Sequence, residues 1–262
     1  MLRYARLWRR FFVLAFVREA EYRVNFFLGL TEGVAQLALA VFTFTLLYRF
    51  TDDVAGWSRW QVLVLVGIYR VVDGIISMQV DPNMYAISEA IRQGELDFVL
   101  LRPVSSQFLV SLRKIKLPEG VNVLIGLALA VYAGQRAGLQ WSLPHVVEAT
   151  LFVVCGLLLL YAVWFFIVTW AFWLVTVDTL DSLFYSLFET ARYPVSFFKG
   201  IVRTLLTFAI PVAFATTFPA QALFGQADPH MLALGLLLAA LALFGSHAFW
   251  QFAIRHYSSA SS

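Results

Sequence analysis

Few residues in this chain have the types and spacing for chemistry, and those few do not converge. The histidines are His145, His230, His247 and His256, and none sits in a His-Glu-x-x-His zinc motif. His145 and Glu148 lie three apart where an apolar run begins, which offers a metal only two ligands. Ser246-His247 joins a hydroxyl to a base in sequence, but adjacent residues point apart on a helix. Gly29-Leu-Thr-Glu-Gly33 has the outline of a nucleophile elbow with Thr for Ser. It lies inside an apolar helix, where a small-xxx-small pair serves close helix approach. The one cysteine, Cys155, is inside another apolar run and reads as a small buried hydrophobe, with no disulfide partner. There is no Gly-x-x-x-x-Gly-Lys-Ser/Thr loop, so the chain carries no P-loop for ATP. No catalytic residue and no metal site is assigned.

Two charged groups remain. Glu32, Arg70 and Asp73 fall inside apolar runs, with Gln36 one turn from Glu32. A lone charge at the centre of a bilayer costs about 2.5–3.5 kcal/mol or more, so such residues face protein or water and pair. Arg70 and Asp73 are i,i+3 neighbours and share a helix face. They are either the polar lining of a translocation path or a structural ion pair fixing the first two spans, and the second reading is preferred. The other group is the polar stretch 84–104, with a span-length apolar run on each side. It predicts a short amphipathic helix over 84–93, stopped by Gly94. A turn, Gly94-Glu-Leu-Asp97, and a segment ending at Arg102-Pro103 follow. A shaped, charged hook between two membrane helices is a handle for something in the water.

The elements that position these residues are membrane helices. Apolar residues make up 61% of 262 residues and charged ones 13%, against roughly 45–50% and about 25% in soluble domains. No strand-length alternation is present, so helices must satisfy the backbone in lipid, and the expected fold is an all-α integral membrane protein forming a single domain over 1–262. Residues 2–22 predict an in-plane amphipathic helix, with Arg3, Arg6, Arg9 and Arg10 on one side and Leu7, Trp8, Phe11, Leu14 and Ala15 on the other. The run is cut by Arg18 and Glu19 and does not read as a cleavable signal. Six spans are expected at about 24–48, 60–80, 117–135, 146–177, 197–218 and 231–254. Between spans 4 and 5, residues 180–193 read as a second amphipathic helix, with Leu183, Phe184, Leu187 and Phe188 on one face and Asp181, Ser182 and Glu189 elsewhere. Between spans 5 and 6, residues 218–225 read as a re-entrant or interfacial helix started by Pro219. The tail 258–262 is predicted to be disordered. With six spans, fifteen Lys and Arg fall on the side of the termini and three on the other, with Arg70 in the membrane. This places the termini, the hook and 180–193 in the cytoplasm.

At this point the sequence resembles a known family. The residues that carry the likeness are Arg18-Glu-Ala-Glu-Tyr-Arg-Val-Asn25, Arg70-Val-Val-Asp-Gly74 and Ile91-Arg-Gln-Gly-Glu-Leu-Asp-Phe-Val-Leu-Leu-Arg-Pro-Val104. To these add Tyr193-Pro-Val-Ser196 and Ile210-Pro-Val-Ala-Phe-Ala-Thr-Thr-Phe-Pro-Ala220. In this order they resemble the permease subunits of type-2 ABC transporters, in particular the six-span subgroup. The resemblance implies an ATP-driven exporter in the cytoplasmic membrane of a bacterium. Two permease subunits, identical or homologous, would sit on two copies of a separate ATPase that holds the ATP and Mg, this chain binding no cofactor itself. The stretch 84–104 would be the coupling loop, with Ile87, Ile91, Arg92, Gly94, Glu95, Asp97 and Arg102 at the ATPase contact. The path would run between the two permeases, lined by spans 1, 2 and 5 with Phe42, Phe44, Phe208, Phe214 and Phe218. Membrane lipids, and no nucleic acid, complete the expected partners. The competing readings are a scaffold or channel, and a membrane-embedded lipid-modifying enzyme. The second lacks a histidine that converges with a carboxylate.

Overall fold

The computed structural model describes residues 2–21, 23–174 and 178–257. The expected end of span 4, at 175–177, and the tail 258–262 lie outside the described residues. The chain folds as helices α1 (Leu2–Glu21), α2 (Arg23–Leu47), α3 (Arg59–Ile75), α4 (Asp81–Arg92), α5 (Leu96–Leu100), α6 (Ser106–Leu112) and α7 (Gly120–Arg136). Then come α8 (Leu143–Thr169), α9 (Asp178–Phe188), α10 (Gly200–Thr204), α11 (Val212–Ala215), α12 (Thr217–Leu223) and α13 (Pro229–Arg255). A hairpin of two-residue strands, β1 (Asp53–Val54) and β2 (Trp57–Ser58), joins α2 to α3, turned by positive φ at Ala55 and Gly56. Ser58 and Gln61 then form a reciprocal capping box that starts α3.

Among the described residues, five helical stretches are long and apolar enough to cross a membrane: Gly29–Leu47, Arg59–Arg92, Leu117–Arg136, Leu143–Phe172 and Pro229–Arg255. They correspond to the expected spans 1, 2, 3, 4 and 6. The second is longer than expected. A π-turn, Ile76–Val80, joins α3 to α4 without a break, so the hook helix extends span 2 as one rod. At 34 residues and ~1.5 Å per residue, this rod outruns a hydrocarbon core of ~30 Å.

Apolar side chains gain nothing by leaving lipid for one another, so the bundle relies on close approach. Spans 2 and 3 meet backbone to backbone. A Cβ on Gly67 would lie 2.6 Å from the Ala130 nitrogen, one on Gly126 2.6 Å from the Gly67 oxygen, and one on Gly74 2.8 Å from the Val123 nitrogen. Gly29 and Gly33, the pair noted in sequence, face side chains instead, Pro118 and Asn122. A second group packs around α8. A Cβ on Gly156 would meet the Ala215 backbone at 2.4 Å, and Gly235 of α13 faces the Phe214 ring. Trp250 packs tilted on Phe165 and edge-on to Phe172 at the other end of α8 and α13.

The sixth crossing is not where hydropathy places it. α9 and the residues after it climb along span 2: Tyr185 reaches Asp73, Phe188 stacks on Tyr69, and Ser196 accepts a hydrogen bond from Trp57 Nε1 at 2.9 Å. Tyr193 also packs on Phe44, near the end of α2. Residues 178–197 therefore run from the end of the bundle that holds the hook to the far end. They are not a cytoplasmic amphipathic piece. The face assignment changes with them: Asp181 is buried and accepts from Trp164 Nε1 at 3.0 Å, while Leu183 is exposed.

The expected span 5 is in turn a re-entrant hairpin. Its limbs, Gly200–Ala209 and Val212–Leu223, bend by 65° at Ile210-Pro211. The second limb ends with Gly225 against the His145 ring, beside the start of α8 and again at the far end. Pro219 lies inside α12 and does not start a separate helix. Lys199 and Arg203 thus move to the far end and Arg192 into the crossing, so the basic residues divide twelve against five and the bias keeps its sign.

Cysteine scanning checks this topology. In a Cys155→Ala background, Lys199→Cys should react with a membrane-impermeant maleimide from the same side as Asp52→Cys, and Glu95→Cys only from the opposite side. In the same preparation, Gly126→Val should lower stability by about 1–3 kcal/mol or more, seen as a reduced unfolding midpoint in detergent, because the valine has no room against span 2.

Candidate functional site

Two polar features stand out in the apolar bundle. The first lies between spans 1 and 2 and α9. Arg70 and Asp73 are buried and pair at 3.5 Å. Arg70 Nη1 also donates to Gln36 Oε1 at 3.0 Å, and Gln36 Nε2 donates to Glu32 Oε1 at 3.0 Å. Tyr185 OH donates to Asp73 Oδ1 at 3.5 Å. Glu32, Arg70 and Asp73 thus belong to one chain of contacts, with Gln36 between Glu32 and Arg70. Glu32 is its exposed end.

The second feature is the hook. It is a loop closed at its base by Asn83, which is 1% exposed. Asn83 Nδ2 donates to the Lys114 oxygen at 2.7 Å and to the Gln79 oxygen at 2.6 Å, and Asn83 Oδ1 accepts from Lys114 N–H at 2.8 Å. One side-chain amide thus pairs both backbone groups of Lys114, as a neighbouring strand would. Lys116 adds an ion pair to Asp81 at 3.1 Å, and its N–H donates to the Met78 oxygen at 2.9 Å. Sequence reasoning passed over Asn83. Its trace was a lone amide three residues beyond the end of an apolar run.

Inside the loop, Gln93 closes α4 and Gly94 takes φ +72°, so the expected stop is in place. Leu96 and Asp97, expected in a turn, start α5 instead. Ile87 and Ile91 are 1% and 9% exposed and belong to the core. They cannot serve as partner contacts, because the apolar face of α4 is already covered by this chain. Its outward face carries Tyr85, Glu89 and Arg92, with Arg92 and Glu89 paired at 2.9 Å. Phe98 and Leu101 are 69% and 82% exposed, and Glu95 and Arg102 are exposed beside them, at a small cleft shared with Arg113 and Lys114. Asp97 turns toward the end of α13. Burial raises the Tyr257 phenol above its ordinary value, and the neighbouring Asp97 adds to this.

α1 runs against the hook. Arg3 Nη2 donates to the Pro103 oxygen at 2.9 Å, Tyr4 packs edge-on to Phe108 at 4.7 Å, and Arg18 Nη2 donates to the Ile115 oxygen at 3.3 Å. Its four leading arginines are exposed, as are Trp8 and Leu14 from the face expected to be apolar. Ala15 is buried, and Leu7 and Phe11 are half-buried. Of the five aromatics expected on a path, Phe42 and Phe208 are exposed, whereas Phe44 and Phe214 are buried and Phe218 packs on Phe152 and Phe214.

A family model described as ABC-2 family transporter protein matches residues 34–261, and the chain belongs to that family. It is a multi-pass membrane protein of the permease type, from a family of membrane subunits that are typically not enzymes themselves and that generally work with an ATPase subunit. No curated protein and no solved structure matches it.

Two substitutions test the geometry. Arg70→Met strands the Asp73 carboxylate in the bundle and should cost about 3–5 kcal/mol, while the double change Arg70→Met with Asp73→Leu should recover most of that loss. Asn83→Leu leaves the Lys114 N–H without its partner and the Lys114 C=O with only Gln79 Nε2 at 3.4 Å, and should cost about 1–3 kcal/mol. Unfolding midpoints of the purified chain in detergent measure all three.

Proposed function

We propose that this chain is one permease subunit of an ATP-driven exporter, coupled to a separate ATPase through the tip of the hook. The observation that carries the proposal is the placement of an exposed apolar pair, Phe98 and Leu101, at the tip of a loop whose base is closed by Asn83 and whose first limb is continuous with span 2. Large exposed apolar side chains rimmed by charge mark interaction sites. Glu89, Arg92, Glu95 and Arg102 supply that rim, and Tyr85 extends it. The contact set is therefore Tyr85, Arg92, Glu95, Phe98, Leu101 and Arg102. Gly94 and Asp97 shape the loop from within.

In this reading the hook and both termini are cytoplasmic, α1 lies in the membrane interface, and the ATP and Mg sit on the ATPase. A second permease subunit completes the path. The chain of Glu32, Gln36, Arg70 and Asp73 acts as a structural tie between spans 1 and 2, with only Glu32 open to whatever passes.

The test is co-purification with the ATPase and ATP-driven transport in vesicles. Leu101→Asp should weaken the complex by roughly thirtyfold, the equivalent of losing about 2 kcal/mol at an interface centre, with insertion unchanged. Gly94→Val forces a β-branched residue into positive φ and should leave ATP hydrolysis running without transport. Wild-type assembly and transport in both variants would remove the tip from the coupling path.

A further inference from the structure

We propose that the chain holds one anionic phospholipid in a cavity beside the hook, at the depth of the leaflet on the side of the termini. The cavity has a volume of about 490 Å3, within the range of roughly 300–1,000 Å3 usual for ligand sites. It lies between span 2, α6, α8 and α13, and it shares no residue with the tip contacts or with the polar chain at Arg70. Its walls are of three chemical kinds, and they match the three parts of a phospholipid.

One wall is apolar. Ile75, Val80, Leu112 and Leu157 form a surface suited to an acyl chain, and Leu158 continues it to the surface of the bundle. A linked polar group follows, built from three helices. Tyr161 OH shares a hydrogen bond with Ser111 Oγ at 2.8 Å and accepts from Gln107 Nε2 at 3.3 Å, and Gln107 Oε1 meets His247 Nδ1 at 2.5 Å. His247 is exposed, and it lies eight residues before Arg255, or ~12 Å from the end of α13. An imidazole at that depth on the bundle surface is costly against lipid tails alone. An amide oxygen only accepts, so Nδ1 carries the proton toward Gln107 and Nε2 is the second ring site. The ester region of a phospholipid offers acceptors that this group can engage through its hydroxyls.

The rim is basic. Gln79 and Phe108 line the cavity, and α1 touches both, Trp8 Nε1 donating to Gln79 Oε1 at 3.4 Å and Tyr4 packing on Phe108. The same helix carries the exposed Arg3, Arg6, Arg9 and Arg10. A phosphate at the rim would sit in their field, which favours an anionic headgroup over a zwitterionic one. The opening is lateral, because His247 and Leu158 both reach the surface of the bundle.

The full chain in nanodiscs, with phosphatidylglycerol or phosphatidylcholine carrying a photoreactive acyl chain, tests this by mapping crosslinks to peptides. The phosphatidylglycerol probe should label the segments around Leu112 and Leu157 about tenfold more than the lipid-facing Leu237 and Leu241 of α13. Leu158→Trp, which fills the cavity, should abolish that excess. His247→Leu, a surface change that keeps the fold, should reduce it severalfold. The phosphatidylcholine probe should show a smaller excess. Uniform labelling around the bundle, or an excess unchanged by both variants, would overturn the site. Equal labelling by the two probes would overturn the anionic assignment.

Discussion

The close approach of spans 2 and 3 at Gly67, Gly74 and Gly126 is the constraint on which the rest depends. In water, two apolar helices would be driven together by burial alone; in lipid that drive is absent, and contact must come from dispersion and weak backbone interactions at short range. Three glycines let the two backbones touch where any side chain would hold them apart. The position of everything at the hook follows from this. α4 is the continuation of span 2 and α7 is span 3, so the ends of the loop are fixed before the loop itself is considered. Asn83 then closes the base by pairing with Lys114, and Lys116 with Asp81 repeats the closure one residue pair away. The hook is rigid at its root because the helices beneath it cannot separate.

The far end solves a different problem. Irregular backbone at membrane depth is tolerated only where its polar groups find partners inside the protein. Two irregular stretches occur here, one around Pro194 at the top of the sixth crossing and one at Pro211 in the re-entrant hairpin. They are placed so that each serves the other. Thr216 Oγ1 donates to the Ala191 oxygen at 2.8 Å, and Thr217 Oγ1 accepts from Val195 N–H at 3.1 Å. Both threonines are at most 1% exposed. The hairpin therefore does more than fill the outer half of the bundle. Its hydroxyls replace the helical hydrogen bonds that the crossing gives up in order to end.

That exchange explains what could be read in the sequence and what could not. The helical class, five of the spans, the Gly94 stop and the isolation of Arg70 with Asp73 follow from composition, periodicity and the cost of buried charge. The identity of the sixth crossing does not. Residues 180–193 contain Asp181 and Glu189, which lower hydropathy and make the segment resemble a surface helix. In the structure Asp181 is paid for by Trp164, a contact between different helices that no local pattern reveals. The run 197–218 is more apolar because its second limb is buried against α8 and its first limb presents Ile201, Val202, Leu205 and Phe208 on the surface of the bundle, and this mimics a span. Ile87 and Ile91 were misread for the converse reason. An amphipathic face shows that something covers it, but not whether the cover is another protein or the same chain.

The rod of span 2 also decides where coupling could act. From the tip, α4 leads to the Asn83 clamp, and the clamp leads to the π-turn at Ile76–Val80. Directly beyond the turn lies Asp73, tied to Arg70 and Tyr185 and so to spans 1 and 2 and α9. A π-turn inside an α-helix is rare and is frequently found at functional sites. Here it is tied to the loop base, Asn83 Nδ2 binding the Gln79 oxygen and Lys116 N–H binding the Met78 oxygen within it. A force on the tip would pass through the clamp and the tied π-turn along the rod, and the Asp73 contacts are the first polar contacts of the bundle beyond them. The polar chain is therefore the tie that holds spans 1, 2 and α9 together, placed directly beyond the root of the hook.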